Sequence, residues 1–270
     1  MGRLSSRLTG LVADERKALV AYIVAGDPAP DVTVGLMHEL VRSGVDVIEL
    51  GVPFSDPEAE GPGIQLAHER ALAHNVSLAH CLTMVEEFRT SDVETPIVLM
   101  GYLNPIEAMG YQTFADRAGK AGVDGTIIVN LPPEEAEDLS RVLAPQNIEP
   151  VYLLAPTTTD ERAASICAAS RGFVYYVSLK GTTGASNLDI EDVAEKLTRF
   201  RRISDLPILV GFGVKDGPSA KAVAALADGA VVGTAIVRLM EQNRDDTAML
   251  NSRVGGFIRE LRSAIDQTHF

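Results

Sequence analysis

Cysteine is scarce in this sequence. The two present, Cys81 and Cys167, form neither a CxxC pair nor a Cys/His cluster, so zinc and thiol redox chemistry lack a ligand set. Both fall in apolar helical patterns and read as small core residues. Long hydrophobic runs are missing as well. No stretch reaches the roughly 18 apolar residues that a membrane-spanning helix needs. The N-terminal stretch MGRLSSRLTGLVADERK has no apolar centre of the kind a secretory leader carries. The expected location is therefore the cytoplasm.

Basic residues are in deficit. Lys and Arg number 24 against 37 Asp and Glu, a formal charge of −13. Such a surface repels nucleic acid and anionic membranes, and neither is an expected partner. It also repels a phosphorylated ligand at long range, so any phosphate site must rely on local donors such as backbone N–H groups. No GxGxxG follows the first apolar run and no GxSxG occurs, which argues against a nicotinamide cofactor and a serine nucleophile. The five histidines, His38, His68, His74, His80 and His269, fall in helical, loop or terminal stretches and are expected at the surface. No metal and no cofactor is expected.

What the sequence does have is alternation. Hydrophobic residues make up 46% of its 270 residues and charged ones 23%, an ordinary globular balance. Eight short apolar runs rich in Val and Ile cover residues 19–25, 45–50, 97–103, 125–129, 150–154, 173–177, 207–210 and 230–232. They have the length and composition of parallel strands buried on both faces. Amphipathic stretches lie between them, over residues 32–43, 78–89, 132–143, 160–170, 190–203, 218–227 and 249–265. Gly44, Gly122, Gly172 and Gly229 stand between helix and strand, where a glycine fits a helix C-cap. Eight strand–helix units with no linker predict one α/β domain over 1–270. A closed (β/α)8 barrel is favoured over an open doubly wound sheet.

A barrel of this kind gathers its chemistry where strands end and the following loops begin. That rule selects Gly26-Asp27-Pro28, Glu49 through Glu60, Asn104, Asn130, residues 178–186, Gly211-Phe212-Gly213 and Gly233-Thr234. Glu49 is an acid near the end of an apolar strand. Burial there would raise its pKa and suit it to acid–base work, while a structural ion pair is the competing reading. The loop at 53–63 holds three prolines, two glycines and the acids Asp56, Glu58 and Glu60. It reads as a lid or binding loop, and one of its acids could share the work of Glu49. The glycines of 180–184, of 211–213 and of Gly233-Thr234 follow the last three strands. They form a candidate phosphate cradle of backbone N–H groups.

These motifs resemble a known family. Glu49-Leu50-Gly51-Val52-Pro53-Phe54-Ser55-Asp56-Pro57, followed by Glu60-Gly61-Pro62 and Ile64-Gln65, is similar to the signature of tryptophan synthase α subunits. Gly26-Asp27-Pro28, Gly101-Tyr102, Asn104-Pro105, residues 131–135, Gly181, Thr183-Gly184 and Gly211-Phe212-Gly213 match in the same order. The resemblance implies a barrel lyase that splits indole-3-glycerol phosphate into indole and glyceraldehyde 3-phosphate. No cofactor is implied in this chain. The implied partner is a β subunit carrying pyridoxal phosphate, in an αββα assembly.

Residue by residue, the resemblance implies Glu49 as the acid–base group and Glu60 as the acceptor for the indole N–H. Tyr22, Met100, Ile127, Leu153, Tyr175, Thr183 and Phe212 would line the indole pocket. Gly184, Gly213, Gly233 and Thr234 would bind phosphate. Asp56, Pro57 and Asn104 would meet the β subunit. Three positions depart from the family pattern: Glu60 and Asn130 stand where Asp is usual, and Thr234 stands where Ser is usual. The extra methylene of Glu60 predicts a lowered rate, which reversion of Glu60 and Asn130 to Asp would raise. Two alternatives stay open. One is a stand-alone lyase of the same substrate, and the other is a weakly active or inactive allosteric binding subunit.

Overall fold

A computed structural model describes residues 1–177, 190–211 and 213–268. Among them, nine parallel strands form one sheet. They are β1 (Ala18–Val24), β2 (Val47–Gly51), β3 (Ile97–Gly101), β4 (Gly125–Ile128), β5 (Glu149–Pro150), β6 (Leu153–Leu154), β7 (Val174–Tyr176), β8 (Ile208–Val210) and β9 (Gly229–Val232). The hydrogen-bonded order is β5-β4-β3-β2-β1-β9-β8-β7-β6. Its two ends, β5 and β6, are pieces of one extended segment. Val151 N–H donates to Thr126 O (2.9 Å) on one side, and Tyr175 N–H donates to Tyr152 O (3.1 Å) on the other. Residues 149–154 thus act as a single fifth strand that closes the ring, and the eight expected strands are all present.

Alternate residues of each strand point to opposite faces. Val20, Val47, Val98, Ile127, Val151, Tyr175, Leu209 and Val231 form one cluster inside the ring. Leu19, Ala21, Ile23, Ile48, Leu50 and Leu99 pack in another with the helices. The inner cluster also takes Leu4, Leu8 and Leu11 from α1 (Arg3–Ala13), a helix absent from the sequence reading. Polar contacts fix α1 against the N-terminal ends of the strands. Gly2 N–H and Ser5 N–H donate to Glu149 (3.0 Å each), Arg7 pairs with Asp46 at 2.6 Å, and Arg3 pairs with Asp124. One end of the barrel is therefore plugged, and the open end lies where the strands finish.

The remaining helices are α2 (Pro30–Arg42), α3 (Pro62–Ala73), α4 (Leu78–Arg89), α5 (Leu103–Met109), α6 (Tyr111–Ala121), α7 (Glu137–Leu143), α8 (Asp160–Ala169), α9 (Ile190–Phe200), α10 (Gly217–Ala224), α11 (Thr234–Gln242) and α12 (Thr247–Ile265). The sequence pattern missed α3, α5 and α6. It also merged a short 3-10 turn at Pro133–Glu135 with α7. Gly44, Gly122 and Gly172 take positive φ (107°, 89° and 70°), as helix-ending glycines do. Gly229 differs. It opens β9, and a Cβ there would sit 2.7 Å from the backbone oxygen of Ala18, so close strand approach is its requirement. Cys81 and Cys167 are both buried. Among the described residues no helix is long and apolar enough to cross a membrane, and no acidic, histidine or cysteine group could hold a metal ion.

Candidate active site

Glu49 lies on β2 beside Tyr22 of β1 and Val98 of β3. Its side chain is fully buried (0% exposed), and neither carboxyl oxygen has a hydrogen-bond partner among the described residues. Among the described residues no cation pairs with it, which weighs against the ion-pair reading. Burial alone pushes its carboxyl up to about 8, because removal from solvent disfavours the charged carboxylate. An acid held protonated near neutral pH can both give and take a proton.

Glu60 closes the loop between β2 and α3. Its Oε2 accepts from the Tyr102 hydroxyl at 2.5 Å, and Ala59 N–H donates to the same Tyr102 oxygen at 3.0 Å. Phe54 stacks on Tyr102 with centroids 4.8 Å apart. Gln65 Nε2 donates to the backbone oxygen of Glu60 at 2.9 Å. The longer side chain of Glu60 is thus held at both its backbone and its carboxylate. Burial raises its pKa, and the Tyr102 hydrogen bond opposes the rise. Tyr102 stood in the sequence motif with no role assigned. Its position as the last residue before α5 places it opposite the Glu60 loop.

Tyrosines form the walls between these acids. Burial raises the phenols of Tyr22 and Tyr175 well above their ordinary range, with the charges of Glu49 and Glu60 adding to each. That coupling places both rings in the same mouth as both carboxylates. Two glycines make room for the phenols. A Cβ on Gly51 would lie 2.5 Å from the Tyr22 oxygen, and one on Gly211 would lie 1.9 Å from the Tyr175 oxygen. Ile127 is buried, and Met100 and Leu153 are half-buried. Met100 pairs with Ile127 in register, and Leu153 pairs with Tyr175.

His68 was missed by the sequence reading, which placed it at the surface. It is 1% exposed on the inner side of α3. Its Nδ1 accepts from Phe54 N–H at 3.1 Å, and its Nε2 lies 3.2 Å from the Tyr22 hydroxyl. A signal did exist: Ile64, Ala67, His68 and Ala71 follow the i, i+3, i+4, i+7 spacing of a buried helical stripe. Arg70, on the same helix, bridges Asp27 after β1 (2.6 Å) and Glu241 of α11 (3.2 Å), tying α3 to both.

Gly233 caps α11 directly after β9, and no side chain caps the free N–H groups that any helix start leaves there. Its Cα lies against the Tyr22 ring, a Cβ there being 3.2 Å from Tyr22 Cδ1. Thr234 is exposed, and Gly213 is exposed with φ at 75°. Thr183, Gly184 and Phe212 lie outside the described residues. Asp56 and Asn104 are exposed, whereas Pro57 is buried within this chain. Asn130 accepts from Leu103 N–H at 2.8 Å and donates to Asn104 at 3.3 Å. It therefore anchors the start of α5.

The plugged parallel barrel thus brings to its strand ends a buried acid without a hydrogen-bond partner among the described residues, a second, braced carboxylate and the start of α11. Comparison with known proteins makes this specific. The family model for the tryptophan synthase alpha chain matches residues 8–266. The tryptophan synthase alpha chain of Nitrosococcus oceani is 52% identical, over 99% of both chains. That of Thioalkalivibrio sulfidiphilus is 53% identical, over 98% of this chain and all of its own (100%). The crystal structure of tryptophan synthase subunit alpha from Legionella pneumophila superposes with a TM-score of 0.92 at 46% identity, covering 98% of this chain and 99% of its own. The chain belongs to the tryptophan synthase alpha chain family. It is a (β/α)8-barrel lyase of tryptophan biosynthesis that cleaves indole-3-glycerol phosphate and works with a β subunit.

Proposed function

We propose that Glu49 carries both proton transfers of the cleavage and that Glu60 steadies the charge between them. The observation that supports this most is the Glu49 carboxyl itself, fully buried at the inner mouth with both oxygens unpaired among the described residues. With its pKa near 8, Glu49 meets the substrate as the acid. It gives its proton to C3 of the indole, and the positive charge that results resides on the ring nitrogen. Glu60, as carboxylate, accepts the ring N–H and stabilises that charge. The ionised Glu49 then takes the proton of the adjacent side-chain hydroxyl. The carbon–carbon bond breaks, its electron pair returns to the ring, and an aldehyde is left. Glu49 ends protonated, so the cycle balances.

On this reading Tyr22, Met100, Ile127, Leu153 and Tyr175 enclose the indole ring, with Thr183 and Phe212 completing the pocket. An apolar slot with aromatic walls suits a flat ring. Gly213, Gly233 and Thr234, with Gly184, take the phosphate through backbone N–H groups, which serves a chain whose net charge of −13 repels anions elsewhere. Asp56 and Asn104, exposed on the same face, are the candidate contacts with the β subunit. The test is indole release from indole-3-glycerol phosphate, with and without β subunit. Glu49→Gln should lower it at least about 100-fold in both conditions. Release by Glu49→Gln within tenfold of the unaltered chain would overturn the assignment.

A further inference from the structure

His68 is a buried titratable group that this mechanism does not use. Its hydrogen bonds fix its protonation. Phe54 N–H can only donate, so the Nδ1 that it meets at 3.1 Å carries no proton. The ring is neutral, its pKa lowered by burial to about 4, and the single proton must therefore sit on Nε2. Nε2–H then donates to the Tyr22 oxygen 3.2 Å away. Tyr22 is the acceptor in that bond, and its own proton points elsewhere. Among the described residues no other group hydrogen-bonds the Tyr22 hydroxyl, and the Glu49 oxygens have no partner either. Among the described residues the proton of the Tyr22 hydroxyl is thus left without an acceptor.

The position of the ring says which part of a ligand would supply that acceptor. The Tyr22 ring edge abuts Gly233 at the phosphate end, with Cδ1 3.2 Å from the Cβ position there, and its oxygen overhangs Gly51 on the Glu49 strand. The ring therefore spans from the proposed phosphate end to the strand of the acid–base group, with its hydroxyl over that strand. In indole-3-glycerol phosphate the group between those points is the middle hydroxyl of the glycerol chain, the one that remains intact in the reaction. We infer that His68 is a positioning residue that makes Tyr22 a hydrogen-bond donor to this middle hydroxyl. The inference rests on the site reading given above.

The test compares two ligands. Indole-3-glycerol phosphate has the hydroxyl, and indole-3-propanol phosphate has the same ring and phosphate on a chain without hydroxyls. Tyr22→Phe should lower kcat/KM for the first about 5- to 10-fold, the worth of one lost hydrogen bond, and change the inhibition constant of the second less than about twofold. His68→Leu should reproduce that pattern. His68→Gln, whose amide can accept from Phe54 and donate to Tyr22, should restore most of the loss. The double variant Tyr22→Phe/His68→Leu should be no worse than the poorer single, because both act through one hydroxyl. An equal loss for both ligands, or failure of His68→Gln to rescue a folded chain, overturns the inference. If the unaltered chain releases no indole even with β subunit, the site reading falls first, and with it the inference.

Discussion

In the role proposed for it, Glu49 trades stability for chemistry. Its carboxyl has an ordinary pKa near 4.5 when the chain is unfolded and about 8 when folded. A folded-state value raised in this way favours the fold fully below pH 4.5 and loses that contribution as pH rises to 8, because the unfolded chain ionises first. The full loss is on the order of 4–5 kcal/mol. Glu49→Gln does not ionise and escapes it. The variant should therefore melt at a higher temperature than the unaltered chain at pH 8, with a difference that shrinks toward pH 5. Thermal unfolding followed across this range decides it, and a difference independent of pH would mean that Glu49 is not held protonated. This residue was legible in the sequence, since an acid inside an apolar strand end is conspicuous. His68 was not, since α3 is rich in alanine and its buried stripe is weak against a background of polar neighbours.

The loop from β2 to α3 carries the departure that the sequence made most of. The expectation was that Glu60, longer than Asp, would misplace its carboxylate and lower the rate. The geometry argues the other way, because Tyr102 holds the Glu60 carboxylate at 2.5 Å and Gln65 holds its backbone at 2.9 Å. Shortening the side chain by about 1.5 Å would break the Tyr102 contact. Glu60→Asp alone should thus lower kcat/KM, by about tenfold, and Tyr102→Phe should lower it comparably. Steady-state indole release measures both, and a gain in rate from Glu60→Asp would restore the sequence expectation. Asn130 has a similar explanation. It anchors the start of α5 through one bond that Asp could also make and a second, to Asn104, that its amide supplies. Element order was largely legible because strand and helix periodicities differ. The short helices α5 and α6 were not, since the sequence between β3 and β4 carries Pro105 and Gly110 and breaks the periodic signal.

At the scale of the molecule, α1 plugs one end of the barrel, and the proposed cleavage site lies at the other on a chain that is acidic as a whole. A substrate phosphate must approach against the field of a net charge of −13, and on the proposed reading it is attracted only at close range, by donors at the start of α11. Screening acts on the distant charges more than on these short contacts, because the Debye length falls from about 20 Å at low salt to about 8 Å at physiological ionic strength. Capture of the doubly charged substrate should therefore improve with salt. Raising sodium chloride from about 20 to 150 mM should increase kcat/KM for indole-3-glycerol phosphate about two- to threefold. In the reverse condensation, kcat/KM for uncharged indole, measured at saturating glyceraldehyde 3-phosphate, should stay unchanged. A fall for the phosphorylated substrate over this range would mean that a local positive field governs its capture, and that the acidic surface is electrostatically remote from the mouth.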